Sequence, residues 1–114
     1  MTIARVEVDT AGGSLLIRLS GDVDLANARA VEAELRHVIT NQVVDVTIDL
    51  TDVAYLGSAG VRVLFHLADR LAVLQIGLAL DAPVGSPARR VIDLSGLGAV
   101  VPVGPPARGR AGTG

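Results

Sequence analysis

The stretch that decides the fold runs from Val46 to Phe65, VTIDLTDVAYLGSAGVRVLF. Its first part alternates. Val46, Ile48 and Leu50 fall on one side, Thr47 and Asp49 on the other, as in a strand with one face on a core. Its second part changes period. From Ser58 onward, Val61, Leu64, Phe65, Ala68 and Leu71 recur at helical spacing, with Arg62, His66, Asp69 and Arg70 facing away. The strand is read as Val44 to Leu50 and the segment Thr51 to Gly57 as a loop. That places Ser58 at or near the N-cap of the helix. A hydroxyl there can cap the helix, accept a phosphate or sit in a partner interface, and spacing alone leaves all three open.

Upstream, Ile3 to Asp9 alternates loosely, as an edge strand does, and Gly12-Gly13 suits a hairpin turn. In SLLIRLSG, Leu15, Ile17 and Leu19 point one way and Leu16, Arg18 and Ser20 the other. Gly21 to Asp24 reads as a loop. Asp24 is placed as the N-cap of a helix whose inner face carries Ala28, Val31, Leu35, Val38 and Ile39, with Asn41 as its stop. Downstream, Leu74 to Leu80 reads as a strand. Ser86-Pro87 reads as an N-cap followed by proline at the first helical position. Val91, Ile92 and Leu94 are expected to bury that short helix, Gly96 to end it, and Ala99 to Val103 to form a last short strand.

Strand–strand–helix–strand–helix–strand–helix is the order of an α/β domain. Helical crossovers make parallel neighbours and the first hairpin adds an antiparallel edge. The expected sheet is therefore mixed, mostly parallel and of four to five strands. The alternating strands put the helices mainly on one face. Residues 1–103 are read as one domain. Residues 104–114, GPPARGRAGTG, have no apolar content to order them and read as a disordered Gly/Pro/Arg-rich tail.

Composition narrows the function. The chain has 114 residues, half of them hydrophobic, enough for one core. A net charge of −2 gives no electrostatic reason to expect nucleic acid. Tyr55 and Phe65 are the only aromatics, too few for stacking platforms on single strands. No cysteine means no disulfide, no thiolate metal site and no cysteine nucleophile. No signal peptide and no apolar run of about 18 residues are visible, so no membrane insertion and a cytoplasmic location are expected. Asp22 and Asp24 alone are weak metal ligands, better read as a solvated loop residue and a cap, and neither metal nor cofactor is expected. His37 and His66 read as solvated helix positions. A hydrolase elbow needs Gly-x-Ser-x-Gly, but Leu56 stands two residues before Ser58 and the preceding loop is read as too long. Gly57 and Gly60 bracket Ser58 without the glycine run and lysine of a P-loop. Tyr55 is read as core, with a rim position the alternative. The chain is not expected to be an enzyme.

Two stretches together resemble a known family. LSGDVDLANA (Leu19 to Ala28) resembles a strand–loop–helix opening of the form LxGxLDxxxA. IDLTDVAYLGSAGVRVL (Ile48 to Leu64) resembles a signature in which a strand ending in DLSxV passes through an aromatic and a D/G-S-S/A-G turn into a helix. SPARRVIDLSGL (Ser86 to Leu97) is similar to the last helix of the same family. The family is the STAS domain, which includes the anti-sigma factor antagonists and related domains of sulfate transporters. The resemblance covers Ile3 to about Val103. Two positions depart from the common pattern: Gly57 stands where many members have Asp, and Ala59 where Ser is common.

The resemblance implies a binding switch. Ser58 matches the phosphoacceptor. The unphosphorylated antagonist would bind an anti-sigma factor, a histidine-kinase-like ATPase that is also the serine kinase, and release a sigma factor. Phosphorylation would end binding, and a serine phosphatase would reset it. The implied interface takes in Asp22, Asp24, Gly57, Ser58, Ala59, Gly60 and Arg62, on a monomer. The alternative is a non-enzymatic STAS subunit of a lipid or anion transport complex, contacting an ATPase subunit.

Overall fold

The computed structural model describes residues 3–105. An antiparallel hairpin opens the sheet: β1 (Ala4–Ala11) turns at Gly12-Gly13 into β2 (Ser14–Val23), with Ala11 opposite Ser14. β2 then pairs in parallel with β3 (Asp45–Leu56), β3 with β4 (Gly77–Asp81), and β4 with the two-residue β5 (Val103–Gly104). The crossovers are α1 (Ala28–Val38), α2 (Ser58–Val73) and α3 (Pro87–Ser95), and a 3-10 turn at Leu97–Ala99 leads into β5. The strand order β1-β2-β3-β4-β5 climbs without reversal. Right-handed crossovers therefore put all three helices on one face.

Burial shows the same division. Leu15, Ile17, Leu19, Val46, Ile48 and Leu50 are buried beneath Leu35, Leu64, Leu71 and Ile92 in one continuous core. On the opposite face Arg18 is exposed and holds Asp9 at 2.6 Å, which pushes the guanidinium pKa up. The mixed α/β sheet, mostly parallel and helix-covered on one side, is the fold its alternation implies.

The elements differ from the sequence reading where tertiary pairing intervenes. β3 does not end at Leu50. It runs to Leu56, and Thr51 to Gly57 is no loop. Alternation is lost there because β3 carries two more residues than the β2 segment it faces. Arg18 pairs with Asp49 and Ser20 with Asp52; Gly21 pairs with Val53 and Asp22 with Tyr55. These are β-bulges, which leave a residue unpaired and bend the strand. At the first, Asp49 Oδ1 accepts the Thr51 amide at 2.9 Å. After the second, Val53 and Leu56 face the core and Tyr55 is 54% exposed, so Tyr55 is not a core residue.

Three smaller differences follow. α2 buries Gly60, Val63, Leu64, Leu67 and Leu71, while Val61, Phe65 and Ala68 are half-buried, so its inner face is turned from the expected stripe. β4 begins at Gly77, because Leu74 caps α2 and Gln75 takes φ 60. α3 buries Ala88 and Ile92, with Val91 half-buried and Leu94 83% exposed. Its ends are as read: Ser86 accepts the Arg89 amide at 3.2 Å, Pro87 opens the helix, and Gly96 closes it at φ 85. The expected strand at Ala99 to Val103 is instead the end of the 3-10 turn followed by β5. β5 includes Gly104, which the sequence reading assigned to the tail, and residues 106–114 of that tail lie outside the described residues.

Candidate functional site

Parallel strands deliver their C-terminal ends to one edge, so the turns after β2 and β3 meet there. The turn after β2 is held by side chains. Asn27 Nδ2 donates to the Asp22 carbonyl at 2.8 Å, and Asn27 Oδ1 accepts the Asp24 amide at 3.0 Å. Asp24 Oδ1 accepts the Ala26 amide at 2.9 Å. Asp24 therefore organises a turn at Leu25 to Asn27 rather than capping α1, which begins at Ala28 with Asn27 as its N-cap residue. The stapled turn presents Leu25 to solvent, 86% exposed.

The turn after β3 is a single residue. The Gly57 amide donates to the Val23 carbonyl at 2.9 Å, which carries sheet pairing one residue past the strand. The Gly57 carbonyl then accepts the Val61 amide at 3.0 Å, the first bond of α2. Gly57 with φ −82 and ψ 176 is thus the N-cap residue, and Ser58 is the first residue of the helix, not its cap. The N-cap residue Gly57 has no side chain with which to cap α2. The Ser58 side chain is left exposed beside first-turn amides that have no intrahelical acceptor.

Two glycines set the position of that turn. A Cβ on buried Gly60 would stand 2.7 Å from Leu56 Cδ1 and 2.9 Å from Val23 Cγ1, so the missing side chain is what seats α2 on the strand ends. A Cβ on Gly57 would stand 3.1 Å from both Cε2 and the hydroxyl of Tyr55. The phenol ring lies against the turn.

The result is an open groove of about 280 Å³ lined by Asp24, Leu25, Tyr55, Gly57, Ser58, Ala59 and Arg62. Five residues singled out from the sequence thus come together: Asp24, Gly57, Ser58, Ala59 and Arg62. Asp22 is half-buried opposite Tyr55 in β2, and Gly60 is buried; neither lines the groove. Leu25 and Tyr55 do line it and were not picked out as site residues. Leu25 carries only the weak signal of a large apolar residue between two turn formers.

A single residue separates β3 from α2, so loop length does not argue against a hydrolase elbow here. Leu56 still fills the position where the elbow has glycine, and no histidine lines the groove. His66 faces Glu32 of α1 instead, at 3.6 Å. Among the described residues no group of three or more acidic or histidine side chains is placed to hold a metal, and no helix is long and apolar enough to cross a membrane.

The family model of the STAS domain matches residues 5–106. The chain belongs to the STAS domain family. BtrV of Bordetella bronchiseptica, named an anti-sigma factor antagonist, is 33% identical over 99 residues, covering 87% of this chain and 84% of BtrV. The anti-sigma-F factor antagonist RsfB of Mycobacterium tuberculosis is 30% identical over 93 residues, covering 81% of this STAS chain and 74% of RsfB. Among solved structures, an anti-sigma factor antagonist from Mycobacterium paratuberculosis superposes with a TM-score of 0.85 at 27% identity, covering 97% of this chain and 93% of that one. The phosphorylated form of the Bacillus cell fate determinant SpoIIAA shares the fold, with a TM-score of 0.68 at 17% identity over 96% of this STAS domain and 100% of that chain.

Proposed function

We propose that this STAS domain is an anti-sigma factor antagonist gated by phosphorylation of Ser58. Unphosphorylated, it binds a histidine-kinase-like ATPase that serves as both anti-sigma factor and serine kinase, and so frees a sigma factor. Phosphorylation of Ser58 ends the binding, and a serine phosphatase restores it. The observation that carries the reading is the exposed Ser58 at the first position of α2, with no side-chain cap, in an open groove that also presents the apolar Leu25 and Tyr55. That its relatives include anti-sigma factor antagonists supports an anti-sigma factor as the partner.

The physics favours a switch that leaves the fold intact. The dipole at an exposed helix start favours negative charge by about 0.3–1 kcal/mol, so α2 tolerates the modification. A partner does not. The phosphate adds about −1.5 to −2 charge, and burying it without cations costs several kcal/mol. A swing from 1:99 to 99:1 bound needs about 5.5 kcal/mol, within reach of one phosphate at the centre of an interface.

The test is affinity capture from the native cell's lysate with wild type, Ser58→Ala and Ser58→Asp as baits, read by mass spectrometry. A kinase-like anti-sigma factor held by the first two and lost by the third is the expected result. If all three baits bring down a transporter ATPase, the proposal fails and the domain is a transport subunit.

A further inference from the structure

We propose that the phosphate on Ser58 is held by two side chains of this same chain, the Arg62 guanidinium and the Tyr55 hydroxyl, so that in the off-state it occupies the groove the partner would use. This rests on the reading of Ser58 as the phosphoacceptor, and it names how that site is regulated.

Three observations converge on it. Ser58 and Arg62 are four residues apart on α2 and line the same groove. Side chains at that spacing share a helix face, about 5–6 Å apart at Cβ. Arg62 is exposed and, among the described residues, has no hydrogen bond or ion pair. No described residue occupies its fork of donors, and a guanidinium pairs with phosphate in bidentate geometry. On the other flank, the Tyr55 ring lies against Gly57, with its hydroxyl 3.1 Å from the point where a Cβ of residue 57 would stand. That puts a phenolic donor beside the residue that precedes Ser58. Among the described residues the Tyr55 hydroxyl has no protein hydrogen bond.

The charges facing the phosphate come from two elements. Among the described residues, Arg62 on α2 is the one cation lining the groove, and Asp24 on the turn after β2 is the one carboxylate. Asp24 Oδ1 accepts the Ala26 amide in its own turn, and its negative charge on the groove opposes the phosphate. The free amides at the start of α2 add to the attraction. The side chains are what make the groove accept a phosphate from one side and stop admitting a partner from the other.

The experiment uses the full chain with phosphoserine genetically encoded at position 58, followed by phosphorus NMR across pH. The apparent second pKa of the phosphate should lie roughly half a unit lower in wild type than in Arg62→Gln, the size expected of one exposed ion pair. Arg62→Lys should recover part of that shift, Tyr55→Phe should lose a smaller part, and Asp24→Asn should deepen it. High salt should erase most of the difference. Superimposable titration curves for wild type and Arg62→Gln overturn the proposal, as does a shift that salt leaves untouched. Because the phosphoserine is encoded, the titration reads the cradle whether or not a kinase exists. A bait experiment that fails while the titration shift holds sinks the partner switch and leaves the cradle standing; the reverse pattern does the opposite.

Discussion

Gly60→Ala adds one methyl group, and two opposing effects decide its sign. Gly60 is the third residue of α2, and replacing a helical glycine by alanine is worth about 0.8–1 kcal/mol in propensity. Against that, the new Cβ would stand 2.7 Å from Leu56 Cδ1 and 2.9 Å from Val23 Cγ1. Neither neighbour has room to yield: Leu56 is 3% and Val23 1% exposed, and the β-branched valine is stiff at χ1. Forcing a methyl into such a site costs about 1–3 kcal/mol. Packing wins, with a net loss of about 1 kcal/mol. For a domain of this length that lowers Tm by roughly 4–8 °C. Thermal melts of both proteins followed by circular dichroism, with a urea titration for ΔG, measure it. A Tm equal to or above wild type would refute the reasoning, because it would mean that α2 does not sit as close to β2 and β3 as the contact distances require.

Two further predictions address the neighbouring elements. Asn27→Ala removes the bonds to Asp24 and Asp22, at about 1 kcal/mol each, and should speed amide hydrogen exchange at Leu25 and Ala26; unchanged exchange would show that the turn is held some other way. Ile92→Ala should cost about 2–5 kcal/mol from a fully buried site, whereas Leu94→Ala, at 83% exposure, should stay within about 0.5 kcal/mol. Similar urea midpoints for the two variants would contradict the orientation of α3.

Local rules were enough wherever the physics is local. Ser86, Pro87 and Gly96 mark the ends of α3 because a cap, a fixed φ and a left-handed residue each act within a few residues of themselves. Leu15, Ile17 and Leu19 against Val46, Ile48 and Leu50 show which strand faces are buried, since the pleat has period two. Ser58 stood out because the pattern changes period at that point. Asp24 misled the same logic: it is a good cap residue, but Asn27 closes a turn around it before α1 begins. Leu94 misled it too, since three apolar residues on a short helix do not say which of them meets the sheet.

What the chain carries by itself is therefore its α/β order, its one-sided core and the serine at the start of α2, all set by patterns within single segments. What only the tertiary structure decided is the groove around that serine. The bulges of β3 exist because ten residues of β2 must pair beside twelve of β3. Those extra residues turn Tyr55 outward, bring Gly57 onto Val23, and leave Leu25, Tyr55 and Arg62 around Ser58. Strand pairing joins residues more than thirty positions apart, and no local periodicity records how the two strands settle their difference in length.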